Sequence, residues 1–255
     1  MSTGGPTVLL LHGQPGGAAD WDEVVALLGD RAQPVAVDRP GWDGNRRARD
    51  LEGNARAALQ ELDARGVERA VIAGHSLGAA IAAWIAGGHP ERVAGLVLAA
   101  PAANLASLYA VDRWLAAPVA AELASSAALG GIGLALSVAP IRHRIASRTG
   151  LTGAYLETVR AASLRPISWL AYAAEQRALV RGLPELEQRL GQITAPTAIL
   201  TGGRDRVVPP DAARELARQI PGARLAVRAD AGHMLPQREP EFVAEAITQA
   251  IGACR

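Results

Sequence analysis

Gly74-His75-Ser76-Leu77-Gly78 separates the apolar run Ala70-Val71-Ile72-Ala73 from an Ala-rich segment that begins at Leu77. The short run stopping at glycine reads as a buried strand, and the segment after it reads as a helix. A serine on so tight a strand-to-helix turn is held in a strained backbone conformation that exposes its hydroxyl above the sheet edge. Glycine is needed at Gly74 and Gly78 because a side chain there would meet the turn or the neighbouring strand. The N–H of Leu77 opens the helix and points to where an oxyanion would form, with the helix dipole behind it. Ser76 is the candidate nucleophile.

Similar apolar runs occupy residues 7–11, 34–37, 93–99, 197–201 and 224–227, stopping at His12, at Asp38, before Pro101, at Gly202 and before Asp230. They are continuous rather than alternating, as strands buried on both faces are. Helical periodicity fills residues 51–65, 77–86, 211–219 and 241–251. A further helix follows Asp20, which is placed to cap it, with Glu23 completing a reciprocal pair. This alternation predicts an α/β fold: a mostly parallel sheet of about six strands flanked by helices. It breaks once, in the Ala/Leu-rich residues 102–191, which are punctuated by Pro118, Gly130-Gly131, Gly133, Pro140, Gly150, Pro166 and Pro184. That stretch is too long for a loop in a compact protein and is read as four to six inserted helices. The expected organisation is a core of residues 1–101 and 192–255 with a helical lid at 102–191.

A hydroxyl attacks only if a base takes its proton, and the base needs an orienting acid. His233, after the last run, is the base candidate, and Asp205, after the run before it, is the acid candidate. The order Ser, Asp, His is the one this topology demands. Asp230 is expected to shape its turn and Asp38 to pair with Arg39. His75 is expected to pack beside the sheet, His89 and His143 to lie at the surface, and His12 to organise its loop. That loop, His12-Gly13-Gln14-Pro15-Gly16-Gly17, lacks the Lys-Ser/Thr of a phosphate cradle and the glycine spacing of a dinucleotide site. The N–H of Gln14 is the second candidate oxyanion donor.

Composition narrows the partners. There are 26 Lys+Arg against 25 Asp+Glu, a formal charge of +1, which gives no reason to expect nucleic acid. The first residues lack the pattern of a signal peptide, and no apolar stretch suits stable membrane insertion, so a soluble, cytoplasmic protein is expected. The single Cys254 makes no internal disulfide, and no ligand-spaced cluster calls for a metal or other cofactor. Oligomeric state is left open. The inserted region carries Tyr109, Trp114, Tyr155, Trp169 and Tyr172, five of the nine aromatics, which marks them as candidates for a pocket taking a small apolar or aromatic ester-like substrate.

The motifs His12-Gly13-Gln14-Pro15-Gly16, Asp38-Arg39-Pro40-Gly41-Trp42, Gly74-His75-Ser76-Leu77-Gly78, Gly202-Gly203-Arg204-Asp205 and Gly232-His233 together resemble the α/β-hydrolase superfamily, in its lid-bearing serine hydrolase branch. The resemblance covers essentially the whole chain. It implies Ser76 as nucleophile, Asp205 as acid, His233 as base, and the Leu77 and Gln14 amides as oxyanion hole. Serine rather than aspartate at position 76 argues against epoxide hydrolysis and dehalogenation, and Gln14 departs from the iminopeptidase-type loop. One departure stands out: members of that family commonly carry two antiparallel strands before the first-strand loop, whereas eleven residues precede His12 here, so that antiparallel start is expected to be absent or reduced. The leading expectation is cleavage of a small carboxylic ester through an acyl-enzyme. The alternatives are C–C bond hydrolysis of a ring-cleavage product, an aminopeptidase or amidase activity, and non-catalytic ligand binding on the same fold.

Overall fold

A computed structural model describes residues 5–117 and 119–253. The strands are β1 (Thr7–Leu11), β2 (Gln33–Val37), β3 (Ala70–His75), β4 (Val93–Ala99), β5 (Thr197–Gly202) and β6 (Arg224–Arg228). They form one sheet in the order β2-β1-β3-β4-β5-β6, and every pairing is parallel. The chain runs outward from β1 to β2, then returns past β1 to build the other half. The switch point therefore lies between β1 and β3, where sheets of this kind bind ligands beyond the strand carboxyl ends. Both the His12–Gly17 loop and the Ser76 turn leave the sheet there.

One face is covered by α1 (Asp22–Leu28) and α10 (Pro240–Gly252), the other by α2 (Leu51–Asp63), α3 (Leu77–Gly88) and α9 (Pro210–Gln219). β3 and β4 are buried almost throughout, which is why they read as unbroken apolar runs. In α3 every residue from Leu77 to Gly87 is buried, because the sheet, α2 and the inserted helices enclose it.

Between β4 and β5 the chain forms α4 (Ala110–Leu115), α5 (Ala120–Ser137), α6 (Ala139–Thr149), α7 (Gly153–Ser163) and α8 (Pro166–Leu190). This is the helical lid insertion. Pro140 and Pro166 start helices and Gly150 ends α6 in a left-handed conformation, as glycine at a helix end does. Gly130, Gly131, Gly133 and Pro184 are not breaks, contrary to expectation: α5 runs through the glycines and α8 through the proline. Gly133 is required within α5, since a Cβ there would lie 2.7 Å from the Leu164 side chain. Leu183, Leu186 and Leu190 are fully buried in the core and anchor α8 on both sides of Pro184. Each such leucine contributes about 2 kcal/mol on burial, which offsets the roughly 3 kcal/mol cost of an interior proline.

Asp20 does not cap a helix. It lies inside a 3-10 turn (Ala18–Trp21), buried, and neither that turn nor α1 has a side-chain cap. A distant donor claims it instead: the Tyr155 hydroxyl on α7, 3.0 Å away. Among the described residues no single helix is long and apolar enough to cross a membrane.

Candidate active site

Ser76 joins β3 to α3 at φ 54°, ψ −117°, a region that a non-glycine residue occupies only when its surroundings impose it. Its N–H donates to Ala99 O (2.9 Å), and its carbonyl accepts from Ala79 (3.0 Å) and Ala102 (3.2 Å). The flanking glycines make this possible. A Cβ on Gly74 would sit 2.3 Å from Gly78 O, and one on Gly78 would sit 2.1 Å from Leu11 O of β1. The first-strand loop also closes on the serine, since a Cβ on Gly13 would stand 3.1 Å from Ser76 Cβ.

Asp205 follows β5 and His233 follows β6. Asp205 Oδ1 accepts from the amides of Val207 (2.8 Å) and Val208 (2.9 Å), which leaves Oδ2 to accept from His233 Nδ1 at 2.8 Å. Burial pushes the Asp205 carboxyl up, but the His233 hydrogen bond and charge and the two amides outweigh it and hold it below its ordinary range. An ionised carboxylate only accepts, so the ring proton belongs on Nδ1 and Nε2 is the basic nitrogen. His75 packs against His233 with ring centroids 4.9 Å apart and donates from Nε2 to the His233 carbonyl at 2.9 Å. Burial and the neighbouring His233 lower His75 to about 3, so it braces His233 as a neutral ring. Among the described residues the Ser76 hydroxyl has no hydrogen-bond partner, so the serine–histidine link is open in this structure.

The first-strand loop is tied from below. His12 Nε2 accepts from the Arg39 amide at 3.1 Å, so Nδ1 carries the proton and donates to Gly13 O at 2.7 Å. Burial and Arg39 lower the His12 pKa and keep the ring neutral. Arg39 itself does not pair with Asp38, which accepts from the Ala18 amide at 2.7 Å. Its buried guanidinium pairs with Glu175 on α8 and donates to His12 O (3.0 Å) and Gly13 O (2.9 Å). Trp42 Nε1 donates to the other Glu175 oxygen at 2.8 Å. Burial raises Glu175, with Arg39 opposing. Gln14 donates from its side chain to Gln176 at 2.7 Å. The N–H groups of Gln14 and Leu77 have no acceptor among the described residues.

A cavity of about 390 Å³ lies between this loop and the lid, bordered by Pro15–Gly17, Asp20, Asp38, Trp42, Leu129, Tyr155, Glu157 and Arg165. Pro15–Gly17 of the first-strand loop border it, whereas Ser76 and His233 are not among its lining residues. Of the four candidate pocket aromatics whose side chains are described, only Tyr155 lines it. Trp169 donates to Ser163 O at 2.7 Å within the lid, Tyr172 is half-buried on α8, and Tyr109 is exposed. The Trp114 side chain lies outside the described residues, as does Cys254. Asp230 pairs with Arg204 at the surface, 2.5 Å apart, and His89 approaches Glu91 at 3.7 Å. Among the described residues no group of His, Cys, Asp and Glu could hold a metal.

Sequence reasoning missed Glu175 and Gln176 and gave Arg39 the wrong partner. A signal existed on α8: Ser168, Ala171, Glu175, Leu179, Leu183, Leu186 and Leu190 recur at helical spacing, and all are buried. A carboxylate on that stripe needs a buried cation.

These elements have counterparts in known proteins. Residues 6–237 match the family described as alpha/beta hydrolase fold. The chain is 30 % identical over 242 residues to a 2-hydroxy-6-oxononadienedioate/2-hydroxy-6-oxononatrienedioate hydrolase of Pseudomonas putida, covering 91 % of this chain and 83 % of that protein. It is 29 % identical over 238 residues to a pimeloyl-[acyl-carrier protein] methyl ester esterase of Neisseria meningitidis serogroup C, covering 89 % and 86 %. The solved enol-lactonase from Burkholderia xenovorans superposes with a TM-score of 0.76 at 19 % identity, covering 97 % of this chain and 92 % of that one. With its parallel sheet, its serine turn at the switch point and its lid between β4 and β5, the chain belongs to the alpha/beta hydrolase fold family and has the general hydrolytic character of that family.

Proposed function

We propose that the chain is a serine hydrolase in which Ser76, His233 and Asp205 act as nucleophile, base and acid, and that its substrate is a small vinylogous keto acid cleaved at a carbon–carbon bond. The observation carrying this reading is the 30 % identity, across 91 % of the chain, to a relative named for hydrolysis of such acids. Arg165 supports it: this lid arginine borders the cavity and has no carboxylate partner among the described residues, so it is free to meet the acid end. Ser76 Oγ adds to the ketone carbon while His233 Nε2 takes its proton. The Leu77 and Gln14 amides receive the oxyanion. Collapse re-forms the carbonyl and breaks the adjacent C–C bond, whose electron pair leaves as an enolate delocalised toward the keto acid. His233 returns its proton to that fragment. Water, deprotonated by His233, then releases the second acid from the Ser76 ester.

A second reading, hydrolysis of an uncharged ester by the same groups, is favoured by Asp20, Asp38 and Glu157 around the cavity against the single Arg165. Its support among relatives is the methyl ester esterase likeness. A fluorophosphonate probe, with Ser76→Ala as control, tests the shared chemistry, and absence of Ser76-dependent labelling refutes both. Comparing kcat/KM for dienone acids and p-nitrophenyl esters separates them. The first reading expects the acids to win and Arg165→Ala to raise KM for the acids alone; the reverse preference selects the ester.

A further inference from the structure

We propose that lid helix α8 sets the oxyanion hole, with Glu175 and Gln176 as positioning residues that hold the Gly13–Gln14 peptide in its working orientation. This rests on the reading of Ser76 as nucleophile and of the Gln14 amide as an oxyanion donor. The Gly13 carbonyl and the Gln14 N–H belong to one planar trans peptide, so they point in opposite directions. Whatever fixes the carbonyl also aims the N–H. Gly13 O is fixed twice, by Arg39 at 2.9 Å and by His12 Nδ1 at 2.7 Å, while Arg39 Nε holds His12 O at 3.0 Å. The Gln14 N–H on the opposite side is left without a protein acceptor among the described residues.

The glycine makes those pins necessary. A peptide next to glycine turns over at little steric cost, and glycine at position 13 avoids a Cβ that would stand 3.0 Å from His75 Nδ1 and 3.1 Å from Ser76 Cβ. Arg39 in turn is held by Glu175, which is fully buried and has Trp42 Nε1 on its second oxygen at 2.8 Å. The next lid residue reaches the same loop independently. Gln176 Oε1 accepts from the Gln14 side chain at 2.7 Å, and its Nε2 reaches Asp112 Oδ1 at 3.2 Å. Neighbouring helix residues point about 100° apart, so both reach one loop only because α8 lies directly across it. The lid segment carrying these residues therefore does more than cover the site. When it is seated the donor is aimed, and when it lifts Arg39 loses its counter-charge and the peptide is released.

The test uses the full chain and p-nitrophenyl acetate, with an aryl boronic acid as tetrahedral analogue. Glu175→Gln is expected to lower kcat by about 10- to 100-fold, part of the roughly 10²- to 10³-fold that outright loss of one oxyanion donor costs, and to leave KM within about two-fold. Boronate affinity falls by the same factor as kcat. Gln176→Ala leaves the Arg39 pair intact and shifts both readouts the same way by about 3- to 10-fold. It decides the matter if Glu175→Gln does not fold. Unchanged kcat and boronate affinity in the folded variants, or a rise in KM alone, overturns the inference. Fluorophosphonate labelling of the unmodified chain keeps the two levels apart. No labelling at Ser76 fails the nucleophile reading, whereas labelling with indifferent variants fails only the role of α8.

Discussion

Asp20→Asn should make the protein more stable, and more so as the pH rises. Asp20 is a carboxylate 5 % exposed, and burial raises its pKa from 3.8 to about 6 despite hydrogen bonds from Tyr155 and Gln237. The folded state therefore holds this proton more tightly than the unfolded chain does. The stabilising contribution of the neutral acid is fully present below pH 3.8 and is lost as the pH rises through about 6. A shift of about 2 units at 1.36 kcal/mol each makes the ionised side chain cost about 3 kcal/mol at pH 8. The same linkage leaves about 1 kcal/mol at pH 4.5. Asparagine keeps the shape, never ionises, and can still accept from Tyr155. Its new amide has an acceptor in Gln237 Oε1, which is buried without a partner among the described residues. Urea melts followed by tryptophan fluorescence should show the variant ahead by about 3 kcal/mol at pH 8, and thermal melts should put it about 6 to 12 °C higher in Tm, both narrowing toward pH 4.5. A difference independent of pH, or a less stable variant at pH 8, would refute the claim that burial of this charge sets the balance.

Asp205→Asn is expected to lower kcat by about 10³- to 10⁴-fold while the chain still folds, because His233 loses the acceptor that fixes its tautomer; steady-state kinetics on p-nitrophenyl acetate checks this. In Gly78→Ala the new Cβ would press on Leu11 O at 2.1 Å, so a loss on the order of 3 kcal/mol should appear as a lowered denaturation midpoint. Leu183→Ala empties a site that is 0 % exposed in the core half of α8, and calorimetry should register a loss of about 2–5 kcal/mol.

The sheet was legible because its strands are buried on both faces, so 93–99 shows as an unbroken apolar run and the observed strand has the same bounds. The tight strand-to-helix turn that carries Ser76 was legible because its close packing demands glycine on either side. The errors share a cause. Asp20 followed by Glu23 satisfies a local capping pattern, and Asp38 is the nearest acid to Arg39 in sequence. The partners that prevail are Tyr155 and Glu175, 135 and 136 residues away, and local spacing carries no record of them. In the same way Pro184 and the α5 glycines obey local rules for breaking helices, yet burial of the surrounding leucines overrides them. The cavity was out of reach because its walls come from the first-strand loop and the lid together.

α8 has a mechanical consequence. Its 25 residues make a rod about 37 Å long. Its first half carries Glu175 over the first-strand loop, and its second half is clamped beside α3 by Leu183, Leu186 and Leu190. A rod gripped at one end does not swing there. Access to the site must then begin as a peel from the α4 side, with bending spread along α8 last of all. In amide exchange, α8 should show a gradient, slowest toward Leu190 and faster toward Pro166, rather than a sharp hinge.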